Sequence, residues 1–346
     1  MKVARFYAPG DVRLEDISEP TAGPGQVKLR VRACSTCGTD AKILAHGHHR
    51  LRPPRVLGHE VAGEVVDVGD GVSGWSAGDR VQVIAAIPDG TCEWCQRGWQ
   101  TVCPNQEAIG YHYDGGFAEF LIVPETVLRV DGLNRIPDGV SFAEASVAEP
   151  FACAINGQEL VNVTDGDTVV VVGAGPIGSL HVRLARARGA RTVYLVELSR
   201  QRLDMAAERV QPDAAICAAE VDVVDEVLKL TDSRGVDVII TAAASGKAQE
   251  QAIQMAALRG RVSFFGGLPK DNPMIACDSN LVHYRELSLV GANGSSPAHN
   301  KQALAFIASG EVPVADLITH RLPLDQVLEG IHTVTRGEAI KVTIEP

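Results

Sequence analysis

The chain has 346 residues, of which 45% are hydrophobic and 22% charged, so it is globular in composition and long enough for two domains. Its net charge of −11, without a long basic run, argues against nucleic acid as a partner. It shows neither a signal peptide nor a membrane-length apolar run, so we expect a cytoplasmic protein without a membrane partner and with reduced cysteines.

Residues 1–150 contain short strand-like runs separated by glycine and proline, a pattern that predicts a mostly β domain. The strand candidates are residues 27–32, 61–68, 80–84 and 117–123.

Two motifs in this region carry residue types that bind metals: Cys-Gly-Thr-Asp at 37–40 and Gly-His-Glu at 58–60. Taken singly, Cys37 is more readily interpreted as a buried thiol than as a metal ligand, and His59 as a core histidine. Together with Glu149 they form a candidate Cys-His-carboxylate zinc site. Three protein ligands leave a fourth position open, which is the arrangement of catalytic zinc.

Three cysteines, Cys92, Cys95 and Cys103, have the spacing of an incomplete structural zinc site, and Asp89 stands where a fourth ligand is expected. The favoured interpretation is a structural zinc held by the three thiolates and either Asp89 or a water. A metal-free lobe is the alternative, and a disulfide is the least expected outcome.

The middle of the chain carries a dinucleotide fingerprint. An apolar run at 168–172 is followed by Gly-Ala-Gly-Pro-Ile-Gly at 173–178 and by apolar residues at helical spacing, and a second strand at 192–196 leads to Glu197. In this context the motif predicts a Rossmann-type site, where glycines admit the pyrophosphate to a helix N-terminus. The expected cofactor contacts are Gly173, Gly175, Pro176, Ile177, Gly178, Glu197 and Arg202.

A carboxylate at Glu197 favours NAD, because it accepts both ribose hydroxyls and repels a 2′-phosphate, although Arg200 and Arg202 lie close in sequence. Further strands are predicted at 236–242, 261–265 and 287–290, with helices between them. The sequence therefore predicts an α/β protein. A doubly wound parallel domain at 151–290 is inserted in a mostly β domain formed by 1–150 and 291–346, with the active site in the cleft between them.

Nearly the whole chain resembles the zinc-dependent medium-chain dehydrogenases. The elements that carry the resemblance are C-G-T-D at 37–40, G-H-E-x2-G-x5-G at 58–69, the cysteine-rich lobe, D-G-G-F-A-E at 114–119, E-P at 149–150 and the nucleotide fingerprint. Glutamate at 149 in place of cysteine is more similar to the polyol (sorbitol and galactitol-phosphate) and threonine dehydrogenase branch than to the alcohol dehydrogenases.

The resemblance implies a GroES-like fold for the mostly β domain and a catalytic zinc held by Cys37, His59 and Glu149. Glu60 is then either a further ligand or a partner of the bound water. Thr39 matches the family's proton-relay hydroxyl, with a turn threonine bonded to local backbone as the alternative. Asp40 is expected to accept the ring N–H of His59, or else to be an exposed turn acid. The family also implies a homodimer or homotetramer.

The expected function is NAD-dependent oxidation of a small alcohol, namely a polyol, sugar alcohol or sugar derivative. A threonine 3-dehydrogenase is the closest alternative, but Lys42 stands where that branch usually has histidine. A non-catalytic dinucleotide-binding protein would need no open zinc site.

Residues 41–57 form a basic loop that contains arginines and histidines but no acidic residue. If this loop borders the active site, it could steer a phosphate or carboxylate towards the zinc. The alternative is a solvated surface loop that balances acidic neighbours.

Overall fold

The computed structural model describes residues 1–346, which divide into two compact units. The first unit comprises Met1–Ala152 and Gly294–Pro346, and the second comprises Cys153–Asn293. No helix combines the length and apolar character that crossing a membrane would require.

The first part of the first unit is built mainly from short strands. Its elements in chain order are β1 (Lys2–Ala8), β2 (Asp11–Asp16), β3 (Val27–Ser35), α1 (Gly38–His46), β4 (Arg55–Val56), β5 (Glu60–Val68), β6 (Arg80–Val83), β7 (Ala86–Ile87), α2 (Glu93–Gln96), β8 (Glu107–Ala108), β9 (Phe120–Val123), α3 (Glu125–Arg129), β10 (Leu133–Arg135), α4 (Phe142–Ser146) and α5 (Ala148–Leu160).

The second unit, which begins within α5, alternates strands and helices. Its further elements are β11 (Thr168–Val172), α6 (Pro176–Ala187), β12 (Thr192–Glu197), α7 (Arg200–Val210), β13 (Ala214–Cys217), α8 (Val223–Leu230), β14 (Val236–Thr241), α9 (Gly246–Gln254), β15 (Ala256–Phe264), α10 (Ser279–Tyr284) and β16 (Ser288–Gly291).

The chain then completes the first unit with α11 (Pro297–Ser309), β17 (Ile318–Pro323), α12 (Val327–Arg336) and β18 (Lys341–Glu345). Its main sheet has the order β10-β6-β5-β3-β18-β17, with β9 pairing to β3. The pairing of β18 with β3 brings the C-terminal strand beside the residues that lead into the Cys37 motif.

The second unit holds one parallel sheet in the order β13-β12-β11-β14-β15-β16. This order is that of a doubly wound dinucleotide fold, which binds its ligand where the strand order reverses beside the first strand. All five residues of β11 are buried, as expected of a central parallel strand. The predicted α/β fold class is confirmed.

Two predictions of local structure need correction. Residues 41–57, expected to be a loop, begin within helix α1, which is only weakly amphipathic and buries Asp40 and Ile43. The strand predicted at 261–265 begins earlier, at Ala256. A backbone irregularity, with Arg259 at φ 59°, interrupts the apolar pattern of this strand, but the strand continues through it.

Candidate metal centre and dinucleotide site

The first unit places the two metal-type motifs side by side. Cys37 immediately precedes α1, whereas His59 precedes β5 and Glu60 is its first residue. The thiol sulfur, an imidazole nitrogen and a carboxylate oxygen of these three residues all lie within 4.8 Å of one another. His59 and Glu60 are buried and Cys37 is half-buried. This group offers the donor types that zinc prefers, at a spacing that one ion can bridge.

Glu149, the remaining predicted ligand, is buried near the start of α5 but is not a member of this 4.8 Å group. It nevertheless acts on the cluster electrostatically. Burial alone would lower the pKa of His59, but contact with the Cys37 thiol and the charges of Asp40 and Glu149 raise it above the usual value. The structure therefore groups Glu60 more tightly with Cys37 and His59 than it does Glu149.

The cluster also favours the ionised thiol. Burial would raise the pKa of Cys37, yet the hydrogen bond and charge of His59, helped by Lys341, leave it below the ordinary value. A thiolate is the form that binds metals. The donor set thus fits zinc chemically as well as geometrically.

Asp40 contacts both sides of the cluster. One carboxylate oxygen accepts a hydrogen bond from the backbone N–H of Cys37 at 2.8 Å. The other lies 3.7 Å from Nδ1 of His59, which is too long for a hydrogen bond. The prediction that Asp40 accepts the ring N–H is therefore wrong at hydrogen-bond distance, and the alternative of an exposed turn acid is also wrong because Asp40 is buried.

Thr39 lies in the first turn of α1, half-buried, and its hydroxyl has no hydrogen-bond partner within the protein. The alternative expected for this residue, a threonine bonded to the local backbone, is not what the structure contains. Its oxygen can thus both accept and donate a proton toward a bound ligand.

Lys341 was missed by sequence reasoning. It is 1% exposed, forms an ion pair with Glu60 and donates a hydrogen bond from Nζ to the carbonyl of Thr36 at 2.8 Å. Its only sequence signal is a lysine at the start of an apolar strand, a place where a charged residue usually marks an exposed strand end.

The cysteine lobe brings its four predicted ligands together. Donor atoms of Asp89, Cys92, Cys95 and Cys103 all lie within 4.8 Å of one another. The sulfurs of Cys92 and Cys103 are 3.8 Å apart, and no cysteine of the chain forms a disulfide. This is the donor geometry of a four-ligand structural zinc site with one carboxylate.

Asp89 is held in place by local hydrogen bonds. One oxygen accepts the backbone N–H groups of Thr91 (2.9 Å) and Cys92 (3.0 Å), and the other accepts the Asn105 amide at 2.6 Å. These bonds, that from Cys92 above all, hold its pKa well below the usual range. Asp89 is therefore a carboxylate in a fixed orientation at the lobe.

The second unit builds the glycine-rich turn that follows β11. Gly173 has φ 111°, and a side chain on Gly178 would collide with the carbonyl oxygen of Gly173. Gly175 caps α6, which Pro176 and Ile177 begin, and a Cβ built on Gly175 would meet no atom within 4 Å, so the space in front of the cap is open. Such a turn lets a pyrophosphate approach the backbone closely.

Glu197 ends β12 beside this turn. One carboxylate oxygen accepts the N–H of Ala174 at 2.9 Å, and the other accepts those of Leu198 (2.8 Å) and Ser199 (3.0 Å). Glu197 also lines a cavity of about 190 Å³ that includes Ser245 and Lys247, which sequence reasoning did not select.

The two arginines near Glu197 differ in their surroundings. Arg200 is paired with Glu220 and Asp204. The backbone N–H of Arg202 donates to the Ser199 cap of α7, and its side chain forms no ion pair and does not line the cavity. The contact of Arg202 with the cofactor therefore stays a prediction, and the position of this side chain outside the cavity lining does not support it.

Comparison with known proteins agrees with both halves of this description. Residues 23–131 match the family model for the alcohol dehydrogenase GroES-like domain, and residues 176–309 match that for zinc-binding dehydrogenase.

Similar proteins cover almost the full length. The chain is 32% identical to sorbitol dehydrogenase of Halalkalibacterium halodurans, over 98% of this chain and 97% of the relative. It is 35% identical to L-threonine 3-dehydrogenase of Pyrococcus furiosus, over 95% and 93%. A Sinorhizobium meliloti protein assigned as a zinc-binding dehydrogenase and solved with NADP bound is 32% identical, with a TM-score of 0.92 and coverage of 100% and 99%.

Proposed function

Because the chain belongs to the zinc-binding alcohol dehydrogenase family, whose cofactors are zinc and a nicotinamide dinucleotide, we propose that it transfers hydride between a secondary alcohol and NAD. The substrate class is a polyol, sugar alcohol or sugar derivative. The observation that carries the proposal is the convergence of thiol, imidazole and carboxylate donors at Cys37, His59 and Glu60 within 4.8 Å. A protein that only binds dinucleotides has no need of such a cluster.

Cys37, His59 and Glu149 would hold the catalytic zinc, with Glu60 as a further ligand or as an acceptor for a bound water. When bound there, zinc supplies Lewis acidity that lowers the pKa of an alcohol toward neutrality. Lys341 keeps Glu60 close to the donor cluster by pairing with it. The pKa of Cys37 lies below its ordinary value because of the hydrogen bond and charge of His59, which eases the loss of the proton that zinc ligation requires.

Thr39 is the proposed first acceptor of the alcohol proton. Its Oγ1 has no partner in the protein, so it can take the proton and pass its own to solvent without breaking an existing bond. Asp40, which fixes the backbone beside Cys37, positions the turn on which Thr39 lies.

NAD is the proposed cofactor form because the carboxylate of Glu197 lies at the end of β12, where the adenine ribose binds in this fold. Three backbone N–H groups hold the Glu197 carboxylate in this position. Rotation of the side chain to relieve repulsion of a 2′-phosphate would break these hydrogen bonds. Arg200, paired with Glu220, offers a 2′-phosphate little compensation.

The lobe of Asp89, Cys92, Cys95 and Cys103 is proposed to hold a structural zinc with Asp89 as the fourth ligand. Its support is the common 4.8 Å grouping of their donor atoms and the fixed carboxylate.

A screen of zinc-loaded protein for NAD and NADP reduction tests the activity, with polyols, aldonates and sugar phosphates as substrates. We expect turnover with at least one secondary alcohol, a preference for NAD, and two zinc ions per chain by metal analysis. Absence of turnover with every alcohol, in protein shown to hold zinc and to bind NAD, would overturn the proposed function.

Threonine oxidation is the second candidate, favoured by the 35% identity to the threonine 3-dehydrogenase of P. furiosus. Against it, Lys42 is an exposed residue of α1 at the position where that branch usually has histidine. Including L-threonine in the screen decides between the two candidates.

A further inference from the structure

A basic pocket lies in the first unit, which also holds the metal centre. It is a cavity of about 470 Å³ between the turn that follows α1 and the segment around β8. Its lining residues are His49, Arg50, Arg52, Glu107, His112 and Tyr113.

The two arginines of this pocket have no acidic partner. The Arg50 guanidinium is exposed and forms no ion pair. Arg52 donates only to the backbone carbonyls of His49 (3.1 Å) and Leu51 (3.2 Å). By contrast, the neighbouring Arg55 is paired with Asp114 at 3.0 Å. In a protein of net charge −11, two arginines of one pocket that form no ion pair give a local positive field available to a ligand.

His112 adds a neutral donor to this pocket. Its Nδ1 accepts a hydrogen bond from the backbone N–H of Ala108 at 3.0 Å. Burial lowers its pKa, and the charges of Arg50, Arg55 and Arg52 lower it further, although Glu107 opposes this. The ring is therefore neutral near pH 7 and carries its proton on Nε2, which makes that nitrogen a hydrogen-bond donor.

Aromatic rings connect this pocket to the metal centre. The ring of Tyr111 lies 6.2 Å from that of His59 and 4.9 Å, edge to face, from that of His48. The next ring, of His49, lies 4.4 Å from His48 and lines the pocket. Burial raises the pKa of Tyr111, and the charges of Asp40, Cys37 and Glu149 raise it further, whereas the charge of Arg50 lowers it. Groups of the metal centre and of the pocket therefore both act electrostatically on Tyr111.

Glu107 is the single carboxylate of the lining. It accepts a hydrogen bond from the hydroxyl of Tyr113 at 2.6 Å, and that hydroxyl in turn accepts one from Thr126 at 3.2 Å. Glu107 is thus hydrogen-bonded to a tyrosine and forms no ion pair with either arginine. Glu107 also supplies a control whose expected effect is opposite to that of the arginine variants, because replacing this carboxylate with a neutral amide should strengthen anion binding.

Resting on the proposed function, we infer that the alcohol substrate carries a terminal phosphate monoester, bound by Arg50, Arg52 and His112, while its reacting hydroxyl reaches the metal centre. A phosphate offers three oxygens and close to two negative charges, which suits two guanidinium groups and an imidazole N–H. A carboxylate has one charge and two oxygens and would leave part of this donor set unused.

The test compares kcat/KM for a hexitol, the same hexitol bearing a terminal phosphate, and the corresponding aldonate, at low and high salt. We expect the phosphate to be favoured by about tenfold or more over the hexitol at low salt, and the margin to shrink as salt is raised. In the double variant Arg50→Gln/Arg52→Gln that preference should fall about tenfold or more. Glu107→Gln should increase it, whereas Arg13→Gln, an exposed arginine outside the pocket, should leave it unchanged.

A binding measurement tests the pocket independently of turnover. Calorimetry with inorganic phosphate should detect binding to the wild-type protein and to Arg13→Gln, and a loss of that binding in the double arginine variant. If no alcohol reacts but phosphate still binds in this manner, the proposed function fails while the pocket stands. If the neutral hexitol or the aldonate performs as well as the phosphate at low salt, or if the double variant retains the preference, the inference is overturned while the dehydrogenase function stands.

Discussion

Lys341 pairs with Glu60, and the two side chains are 2% and 0% exposed. Burial would lower the pKa of Lys341, but Glu60 and Cys37 together raise it above the usual value, so the lysine stays charged. A residue near the C-terminus thus supports a carboxylate of the candidate metal centre from the adjacent part of the sheet.

Lys341→Met should destabilise the protein by up to about 3–5 kcal/mol, because it removes the counter-charge of a buried carboxyl group. Burial raises the pKa of Glu60 well above its ordinary value, so uptake of a proton by Glu60 limits this loss. Urea denaturation of zinc-loaded protein measures the loss. The double variant Lys341→Met/Glu60→Gln should recover part of it, since the remaining amide is neutral. Equal free energies of unfolding in the single and double variants would show that the ion pair with Glu60 is not the source of the loss.

Cys37→Ser and His59→Ala should each abolish turnover and lower the zinc content, while NAD binding, followed by fluorescence titration, persists. The reason is that both donors lie in the first unit, whereas the glycine-rich turn lies in the second. Turnover within about tenfold of wild type, which is roughly 1.4 kcal/mol in the barrier, would contradict the ligand assignment.

Glu197→Ala should weaken NAD binding by about tenfold or more and reduce the preference over NADP, through the loss of charge-assisted bonds to the ribose. Glu208→Gln is the matched control, because Glu208 pairs with Arg209 and does not line the cavity. An unchanged cofactor preference in Glu197→Ala would mean that this carboxylate does not contact the ribose.

Asp89→Ala should lower the melting temperature and the zinc content more than it lowers the rate per folded molecule. Asp89→Asn separates loss of zinc from loss of the local hydrogen bonds as the cause of a lower melting temperature. Its amide oxygen can still accept the N–H groups of Thr91 and Cys92 but is a poorer zinc ligand. Asp89→Cys should retain zinc against a chelator longer than wild type does. Equal zinc content and melting temperature in all three variants would exclude Asp89 as a ligand.

His181 predicts acid sensitivity of the second unit. Burial lowers the pKa of this fully buried histidine to about 3, below its ordinary value of 6.5. Because the unfolded chain binds the proton more readily, this stabilising contribution is complete above pH 6.5 and is lost as pH falls toward 3. Between pH 6.5 and 5 the loss should be about 2 kcal/mol. His181→Gln should flatten the fall in melting temperature over that range, and an unchanged slope would rule out His181 as its source.

The dinucleotide fold was predictable because its signals are local. Three signals follow one another within thirty residues: the buried run at 168–172, the glycine turn and Glu197. In this context the glycines indicate a tight turn that admits a pyrophosphate, and the acidic residue indicates a ribose contact. The metal ligands were also accessible, since Cys37 and His59 belong to short motifs.

Other parts of the site depend on contacts between distant segments, which periodicity does not encode. Lys341 meets Glu60 only because β18 pairs with β3, and Tyr111 meets His59 and His48 only through folding of the first unit. Helix α1 was missed because it buries one apolar side chain, Ile43, and so lacks an amphipathic pattern.

The use of arginine in the basic pocket has a consequence for how substrate choice would vary with acidity. A guanidinium group carries its charge at all pH values at which proteins are ordinarily folded. The pKa of His112 lies below its ordinary value, chiefly through burial, so its ring is neutral near pH 7. A phosphate monoester, however, gains its second charge near pH 6. The preference for the phosphorylated alcohol should therefore rise between about pH 5.5 and 7.5 along the ionisation curve of the substrate itself. Replacing the phosphate with a group of different acidity would move that curve without any change in the protein.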